Sequence, residues 1–486
     1  MLRPTQTRPL LRPTLTHRRA ADYRRAGGPW DGPTIDRLPS HPANDALASE
    51  VAALAGALRA QGVKRGDAVT WNLPNSDGAR NLYLACWRLG AVAAPTHHLA
   101  SAAEVARAQA LIAPRVVIGD ECELDALLRS HAAPVYEPAA RPTDVAAVLF
   151  TSGSTGAPKA AVHTQRGLSW KARLMTQVHA LGAADAVLMP APLAHISGLL
   201  NGVLVPRAAG MRARFMSRWD PEHALQLIER DRITFMIGPP TFFVDLMAAS
   251  GFSRERVAPL RLISSGGAGV TPAFVDEAID GFGCTVKRTY GSTEAPTVTT
   301  SHAGDPVDRA RATDGRATGE VELRVHRVSG ELLLRGPELF VGYTEVEQTR
   351  AAHARGGWFC TGDRARLDDG WLTIVGRIKD VIIRGGENVS AAEVESVLEA
   401  HPAIRQAVAV GRPDDRLGER VVAFVVTSAP FDLAASREWF EARGVSRFKW
   451  PEQIVALDAL PTMAAGKPDR AALKQRAKEL VVAPPV

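Results

Sequence analysis

The stretch TSGSTGAPK (residues 151–159) follows the apolar run AAVLF (146–150) and decides how the chain is interpreted. It holds four hydroxyl side chains, two glycines and one lysine. In a turn after a strand, glycines let the backbone approach a ligand, while hydroxyls, amides and a cation bind phosphate oxygens. It is not the common GxxxxGK[ST] loop, because Lys159 lies three residues after Gly156. The pattern indicates a phosphate-binding turn, with an ordinary polar loop as the alternative.

The composition indicates a globular protein. Of the 486 residues, 46% are hydrophobic and 23% are charged. No run approaches the roughly 18 apolar residues of a spanning helix, and no secretory signal pattern opens the chain. We therefore expect a cytoplasmic protein without a membrane span. The four cysteines stand singly, without the spacing of a zinc site or a disulfide framework.

The first 25 residues are rich in arginine and carry much of the net charge of +6. A run of this kind is usually a solvated extension. An arm for nucleic acid and an organelle address are the alternatives. We expect the extension to span residues 1–40 and expect no nucleic-acid partner.

The rest of the chain predicts an α/β protein of two domains. From about residue 47 to residue 300, short apolar runs alternate with helical patterns, which predicts parallel sheets covered by helices. Alternating, glycine-punctuated runs such as GELLLRG (330–336) predict an antiparallel, β-rich layer. These parts form a large N-terminal domain over residues 41–378.

The remaining residues, 379–486, predict a small α+β C-terminal domain. Ser390 and Glu393 stand three residues apart before an apolar helical pattern, which is the spacing of a capping box. Apolar strands are predicted after that helix at AVAVG (407–411) and VVAFVV (421–426).

The turn at 151–159 resembles the signature [ST]-[ST]-G-[ST]-T-G-x-P-K of the adenylate-forming superfamily, which contains acyl-CoA synthetases, peptide-synthetase adenylation domains and luciferases. Further motifs that resemble this family follow in its order: YGSTEAP (290–296), TGD (361–363), GRIKD (376–380), IIRGGENVSAAEVE (382–395) and LPTMAAGKPDR (460–470). Together the motifs span most of the chain. The residues within YRRAGGPW (23–30), GSTEAP (291–296) and IIRGGENVSAAEVE (382–395) resemble those of medium-chain and cyclohexanecarboxylate-type acid:CoA ligases.

The resemblance implies an acid:CoA ligase that uses ATP, Mg²⁺ and coenzyme A. In such enzymes a carboxylate attacks the α-phosphorus of ATP and expels pyrophosphate, and the thiol of coenzyme A then displaces AMP from the acyl-adenylate. Both steps place negative charge on phosphate oxygens, so positioned donors and cations should dominate catalysis. The small domain is expected to be mobile and to rotate about Lys379 between the two steps.

The resemblance also implies roles for single residues. It makes Lys467, Thr293, Glu294 and His195 catalytic, and it assigns Mg²⁺ to Glu294 and Thr151. It assigns ATP and AMP binding to Thr151, Ser152, Gly153, Ser154, Thr155, Gly156, Lys159, Gly266, Gly267, Ala268, Tyr290, Gly291, Ser292, Asp363 and Arg377. The loop at Gly385 and Gly386 would leave room for coenzyme A.

The segment APLAHISGLL (191–200) resembles the part of the family that lines the acyl pocket. The expected lining residues are His195, Ile196, Leu200 and Phe242, with simple core packing as the alternative for the apolar ones. Because Ile196 follows His195 and offers no charged partner, we expect an apolar carboxylic acid as the substrate.

Three other functions remain as alternatives. The acyl group could be passed to a carrier-protein thiol instead of coenzyme A. The chain could be a noncatalytic nucleotide-binding module, although Lys467 and Glu294 together argue against this. It could also be a basic nucleic-acid binder. The region before Leu47 and the segment 120–143 are shorter than in the family, which concerns stability and the contacts of a homodimer more than chemistry.

Overall fold

Three β-sheets organise the molecule. The computed structural model describes residues 33–38, 45–130, 132–151, 159–267, 269–384, 387–414, 417–463 and 466–480. The expected basic extension lies almost wholly outside these ranges, as do Ser152–Pro158, Ala268, Gly385 and Gly386. Within these ranges no helix combines the length and apolar character needed to cross a bilayer.

The strands of the large domain precede a 3-10 helix at Ile378–Asp380. They are β1 Ala68–Trp71, β2 Val92–Ala93, β3 Val116–Ile118, β4 Val145–Thr151, β5 Lys159–Thr164, β6 Ala186–Met189, β7 Arg212–Phe215, β8 Phe235–Gly238, β9 Leu262–Gly266, β10 Thr285–Tyr290, β11 Thr299–Thr300, β12 Arg316–Ala317, β13 Glu322–Val325, β14 Glu331–Arg335, β15 Gly342–Tyr343, β16 His353–Ala354, β17 Trp358–Asp368 and β18 Trp371–Arg377.

The helices of this domain cover the sheets. They are α1 Asp45–Ala60, α2 Asp77–Leu89, α3 Ala102–Ile112, α4 Glu121–Leu128, α5 Gln165–Val178, α6 Ile196–Gly198, α7 Val205–Ala209, α8 Pro221–Asp231, α9 Pro240–Ala248, α10 Arg254–Val257, α11 Pro272–Phe282, α12 Val307–Ala312 and α13 Val346–Ala351. Several begin at capping side chains: Thr164, Asp220 and Thr271 each accept a backbone N–H of the first turn. A π-helix, Leu199–Leu204, joins α6 to α7.

The first sheet has six strands in the order β15-β5-β4-β2-β1-β3. The strand β1 is parallel to both β2 and β3, whereas β4 and β5 are antiparallel, with Thr151 opposite Lys159. The predicted parallel pairing therefore holds for β1, β2, β3 and β4 but does not extend to β5 and β15. Only seven residues separate β4 from β5 in the sequence, which is enough to connect antiparallel neighbours but too few for the crossover that parallel neighbours need.

The second sheet has twelve strands and combines the predicted parallel strands with the predicted antiparallel layer. Strands β7, β6, β8, β9 and β10 run parallel in that spatial order. The sheet continues through β11, β12, β18, β17, β14 and β13 with antiparallel pairing, and the twelfth strand, β16, pairs antiparallel with β17. The parallel strands end at one edge, where Gly238, Gly266 and Tyr290 are the last residues. Such an edge is where α/β sheets bind ligands.

The third sheet forms the core of the C-terminal region. Its strands are β19 Val381–Arg384, β20 Glu387–Ser390, β21 Ile404–Asp414, β22 Gly418–Thr427 and β23 Gln453–Ala456, and its helices are α14 Ala391–Glu399, α15 Leu433–Ala442 and α16 Arg470–Glu479. The order is β20-β19-β22-β21, with β23 parallel to β22. The large α/β domain and the smaller α+β domain confirm the predicted fold class. The boundary proposed at Lys379 falls in the 3-10 helix between β18 and β19.

The predicted capping box at α14 is only half formed. The Ser390 hydroxyl accepts the Glu393 N–H at 3.4 Å and donates to the Val375 carbonyl at 2.7 Å. The Glu393 carboxylate instead accepts from Lys449 Nζ at 2.6 Å. A charged partner from another element has replaced the local backbone bond, because a charge-assisted hydrogen bond is the stronger one.

Candidate active site

A buried carboxylate with two donors stands beside the edge of the second sheet. Asp363 on β17 lies directly opposite Arg377 on β18, and Arg377 Nε donates to Asp363 Oδ1 at 3.1 Å. The Tyr290 hydroxyl, at the end of β10, donates to Asp363 Oδ2 at 2.7 Å. Burial raises the pKa of Tyr290, and the Asp363 charge adds to this effect. Each carboxylate oxygen keeps a second lone pair, which suits the two hydroxyls of a ribose.

Glu294, three residues after Gly291, is held from two sides. The Tyr343 hydroxyl donates to Glu294 Oε1 at 2.6 Å, and the Phe340 N–H donates to the Glu294 carbonyl at 2.8 Å. Lys159 Nζ lies 5.0 Å from the centroid of the Tyr343 ring. The structure therefore brings together Lys159 at the start of β5 and Glu294 from the second sheet, as a shared phosphate and cation site requires.

The donor set around Glu294 fits a Mg²⁺–nucleotide complex. Mg²⁺ in such sites is held by one or two carboxylates and by phosphate oxygens. Among the described residues no group of three or more His, Cys, Asp or Glu side chains could hold a metal alone. A single carboxylate beside the signature lysine matches that requirement, and Thr151 lies opposite Lys159 at the mouth of the hairpin.

A buried histidine fixes the backbone at Thr293. His163 on β5 is 2% exposed, and its Nε2 lies 2.9 Å from the Thr293 carbonyl. Because a carbonyl can only accept, Nε2 must carry the proton and donate. Burial lowers the pKa of His163 to about 4, so the ring is neutral at pH 7. The carbonyl of Thr293 is thus oriented by a strand of the first sheet.

The glycines of the site allow close backbone contacts. A Cβ on Gly266 would stand 2.2 Å from the Thr289 carbonyl oxygen, and one on Gly291 would stand 2.4 Å from the Thr297 nitrogen. No side chain fits at either position, so glycine is required there. Ser292, expected to bind nucleotide, uses its hydroxyl to accept the Ala295 N–H at 3.2 Å.

Lys467 projects from a hairpin that docks on the large domain. The Met463 N–H donates to the Lys467 carbonyl at 2.7 Å, and Thr462 and Pro468 form an isolated antiparallel β-bridge. The Thr241 hydroxyl donates to the Gly466 carbonyl at 3.0 Å. Lys467 Nζ comes within 3.3 Å of the place where a Cβ on Gly267 would stand. Lys467 of the small C-terminal domain therefore lies at the carboxyl end of β9 in the large domain.

Arg377 and Asp363 are the charged groups that act on Lys467. Burial lowers the pKa of Lys467, Arg377 lowers it further, and Asp363 opposes both. The ammonium of Lys467 is thus within electrostatic reach of Asp363 and Arg377. An anion such as a phosphate group would restore the full charge of the lysine.

His195 lies next to a second histidine at the start of α6. Its ring centroid is 5.4 Å from that of His97, which stacks at 4.6 Å on His98. Burial lowers the pKa of His195 to about 4, and His97 and Lys467 add to this effect. A neutral imidazole at pH 7 therefore faces the region of Lys467.

The apolar residues expected in the acyl pocket divide into two groups. Leu200 is 1% exposed and belongs to the core around the π-helix, so packing accounts for its burial. Phe242 packs on Trp219, with ring centroids 4.5 Å apart, and its ring lies 3.0 Å from the Cβ position of Gly466. Phe242 thus contacts the lysine hairpin, while Ile196 is partly buried against the same core as Leu200.

Several expected site residues lie outside the described ranges. They are Ser152, Gly153, Ser154, Thr155, Gly156, Ala268, Gly385 and Gly386, and the side chain of Lys379 is likewise not described. The sequence analysis missed His97, His163 and Tyr343. Tyr343 and His163 could have been noticed as polar residues in otherwise apolar strands, but their partners are far away in the sequence.

Comparison of the whole chain with known proteins identifies its relatives. The family profile described as AMP-binding enzyme matches residues 45–344, and its C-terminal domain profile matches residues 393–467. The medium-chain fatty-acid–CoA ligase of Escherichia coli is 31% identical, over 87% of this chain and 83% of the relative. The indoleacetate–CoA ligase of Aromatoleum aromaticum is 32% identical, over 91% of this chain and 95% of the relative.

A solved structure shows the same fold. The ATP-bound crystal structure of MatB from Rhodopseudomonas palustris superposes with a TM-score of 0.80 and 27% identity, covering 89% of this chain and 93% of the other. The resemblance inferred from the motifs is confirmed: the chain belongs to the AMP-binding enzyme family.

Proposed function

We propose that this chain is an ATP-dependent carboxylic acid:CoA ligase. It uses ATP, Mg²⁺ and coenzyme A, activates an acid as the acyl-adenylate with release of pyrophosphate, and transfers the acyl group to the thiol. One observation carries the proposal: the hairpin of Lys467 docks at Gly267, within reach of Asp363. A module that only bound nucleotide would not need a lysine delivered from the other domain.

Each residue at this edge has a distinct role in the first step. Asp363, held by Tyr290 and Arg377, orients the ribose and so fixes the α-phosphorus in line with the incoming carboxylate. Lys467 lies between the carboxylate and the α-phosphate and offsets the charge that develops there. Bound Mg²⁺, held by Glu294 and Thr151, would neutralise the β- and γ-phosphate oxygens. His195, neutral at pH 7, adds no competing charge beside the acid.

The second step needs a different arrangement of the small domain. The docked Lys467 hairpin occupies the approach to the carboxyl carbon, so a thiol needs the hairpin to leave. Rotation about Lys379 withdraws Lys467 and presents Gly385 and Gly386, where the absence of side chains leaves room for the pantetheine arm. The proposed hinge is the short 3-10 helix that alone joins β18 to β19.

The substrate is proposed to be an apolar carboxylic acid. The partly buried Ile196, the buried Phe242 and the neutral ring of His195 offer no charge for a polar substituent. The two relatives named above act, by their names, on medium-chain fatty acids and on indoleacetate. Straight-chain acids of medium length and aryl-acetic acids are therefore the first compounds to test.

Pyrophosphate–ATP exchange tests this proposal directly. A panel of straight-chain, alicyclic and aryl acids should contain at least one that supports exchange without coenzyme A and forms a thioester with it. If none of the acids in the panel supported exchange, the enzyme assignment would be contradicted and a noncatalytic nucleotide-binding module would be favoured. Exchange followed by transfer only to a carrier-protein thiol would favour the alternative acceptor, which the CoA ligase names of both relatives argue against.

A cytoplasmic location and a homodimer belong to the same proposal. ATP and coenzyme A are supplied to such an enzyme in the cytoplasm. Light scattering of the purified chain gives its mass in solution and so tests the homodimer.

A further inference from the structure

A fully buried ion pair lies behind the loop that carries Glu294. Lys171 on α5 and Glu338, in the loop between β14 and β15, are both 0% exposed at their side chains, and Lys171 Nζ donates to Glu338 Oε1 at 2.7 Å. The Trp170 ring N–H donates to Glu338 Oε2 at 3.3 Å. Burial lowers the pKa of Lys171, and Glu338 opposes this effect.

The first arm of this pair reaches the loop after Glu294. Lys171 Nζ donates to the Thr297 carbonyl at 3.1 Å, and the Thr318 hydroxyl donates to the same carbonyl at 2.9 Å. Thr297 has φ of 35°, a left-handed conformation that a β-branched residue rarely adopts. Such a conformation persists only where the surroundings hold it. Two buried donors on one carbonyl provide that restraint.

The second arm holds Glu294 itself. Glu338 belongs to the same segment as Phe340 and Tyr343, which bind the Glu294 carbonyl and carboxylate respectively. Glu294 thus lies in the loop that leads to Thr297 and is bound by the segment after Glu338, and Lys171 ties this loop to that segment. Moving either segment would move the carboxylate.

Stability alone does not explain this ion pair. Replacing a buried ion pair by apolar residues of similar size is often neutral or stabilising. What apolar residues cannot supply is the directed bond from Lys171 to the Thr297 carbonyl. We infer that Lys171 and Glu338 are positioning residues that place the Glu294 carboxylate for a metal–nucleotide complex. This inference rests on the proposed function, in which Glu294 holds Mg²⁺.

Calorimetric ATP binding, with saturating Mg²⁺ and with EDTA, tests the inference without turnover. The double variant Lys171→Met/Glu338→Met should fold, and its thermal unfolding temperature should be close to that of the unchanged protein. The Mg²⁺ gain is the factor by which saturating Mg²⁺ increases the affinity for ATP. In the double variant this gain should fall about tenfold, as is typical when an outer partner of a metal ligand is lost. Its affinity for ATP in EDTA should stay within about twofold, because Asp363 and Lys467 are untouched.

A milder variant covers the case in which the double variant does not fold. Thr318→Val keeps the buried volume and removes one donor to the Thr297 carbonyl, so the Mg²⁺ gain should fall about threefold. Thr70→Val is the matched control, because the hydroxyl of Thr70 also donates to a buried carbonyl, that of Ala94, in the first sheet. The control should leave the Mg²⁺ gain unchanged.

The outcomes separate this inference from the proposed function. An unchanged Mg²⁺ gain in the double variant, or in Thr318→Val if the double variant is unfolded, overturns the positioning role alone. Absence of Mg²⁺-dependent ATP binding in the unchanged protein overturns both this role and the proposed function. A selective fall in the Mg²⁺ gain, with the control unaffected, supports the inference.

Discussion

Replacing Lys467 with alanine removes the cation that the small domain brings to the nucleotide. The ammonium lies 3.3 Å from the Cβ position of Gly267, at the edge where the α-phosphate is expected. A unit charge about 4 Å from a developing negative charge contributes about 4 kcal/mol at an effective dielectric constant near 20. That energy corresponds to about a thousandfold in rate. The Lys467 hairpin is partly exposed, so water screens part of this electrostatic interaction. We therefore expect the rate of adenylation to fall about a hundredfold or more.

The assay measures the two half-reactions of Lys467→Ala separately. Pyrophosphate exchange reports the first half-reaction and should fall by the expected factor. Single-turnover transfer from supplied acyl-adenylate to coenzyme A reports the second and should be unchanged, because Lys467 is withdrawn in that step. Lys478→Ala, an exposed lysine on α16, is the matched control and should leave both rates unchanged. An equal loss in both half-reactions would refute the division of labour between the two domain positions.

Three further predictions follow from single contacts. Burial raises the pKa of Glu399 to about 8, with Glu395 adding to it; the folded state therefore loses stability between about pH 4.5 and pH 8, by up to about 1.4 kcal/mol per pH unit. Glu399→Gln should thus raise the unfolding temperature at pH 8 but not at pH 4.5, as measured by circular dichroism. Tyr290→Phe removes the donor to Asp363 and should weaken ATP binding about tenfold in calorimetry; unchanged binding would contradict the ribose assignment. Phe242→Leu should raise kcat/KM for acids one methylene longer, relative to the parent's best acid, by about fourfold.

The parts of the site that could be predicted from the sequence are those written in short contiguous strings. Asp363 and Lys467 stand in motifs whose spacing is intact, and the structure brings both to the carboxyl edge of the second sheet. The alternation of apolar runs also predicted the parallel strands β8, β9 and β10. The mixed first sheet was missed because the pattern of β5 does not reveal its direction, which the short turn after β4 imposes.

The contacts that could not be predicted join residues remote in the sequence. His163 binds a carbonyl 130 positions away, and Lys171 binds Glu338 across 167 positions. Nothing local marks such a side chain, since a buried lysine on an amphipathic helix has the pattern of a surface residue until its partner is known. Similarly, Glu393 had the spacing of a cap, and only the fold brought Lys449 close enough to compete for its carboxylate.

Phe242 contacts both the large domain and the lysine hairpin of the small domain. Its ring packs on Trp219 on one side and on the Gly466 backbone of the lysine hairpin on the other. With Phe242 as a wall of the acyl pocket, an oversized acid that pushes the ring outward by a fraction of an ångström collides with the seat of Lys467. In that role Phe242 would let the protein reject an acid that has already bound, because an ill-fitting acid would prevent the small domain from closing. Selectivity would then be visible in turnover even where acids bind equally well.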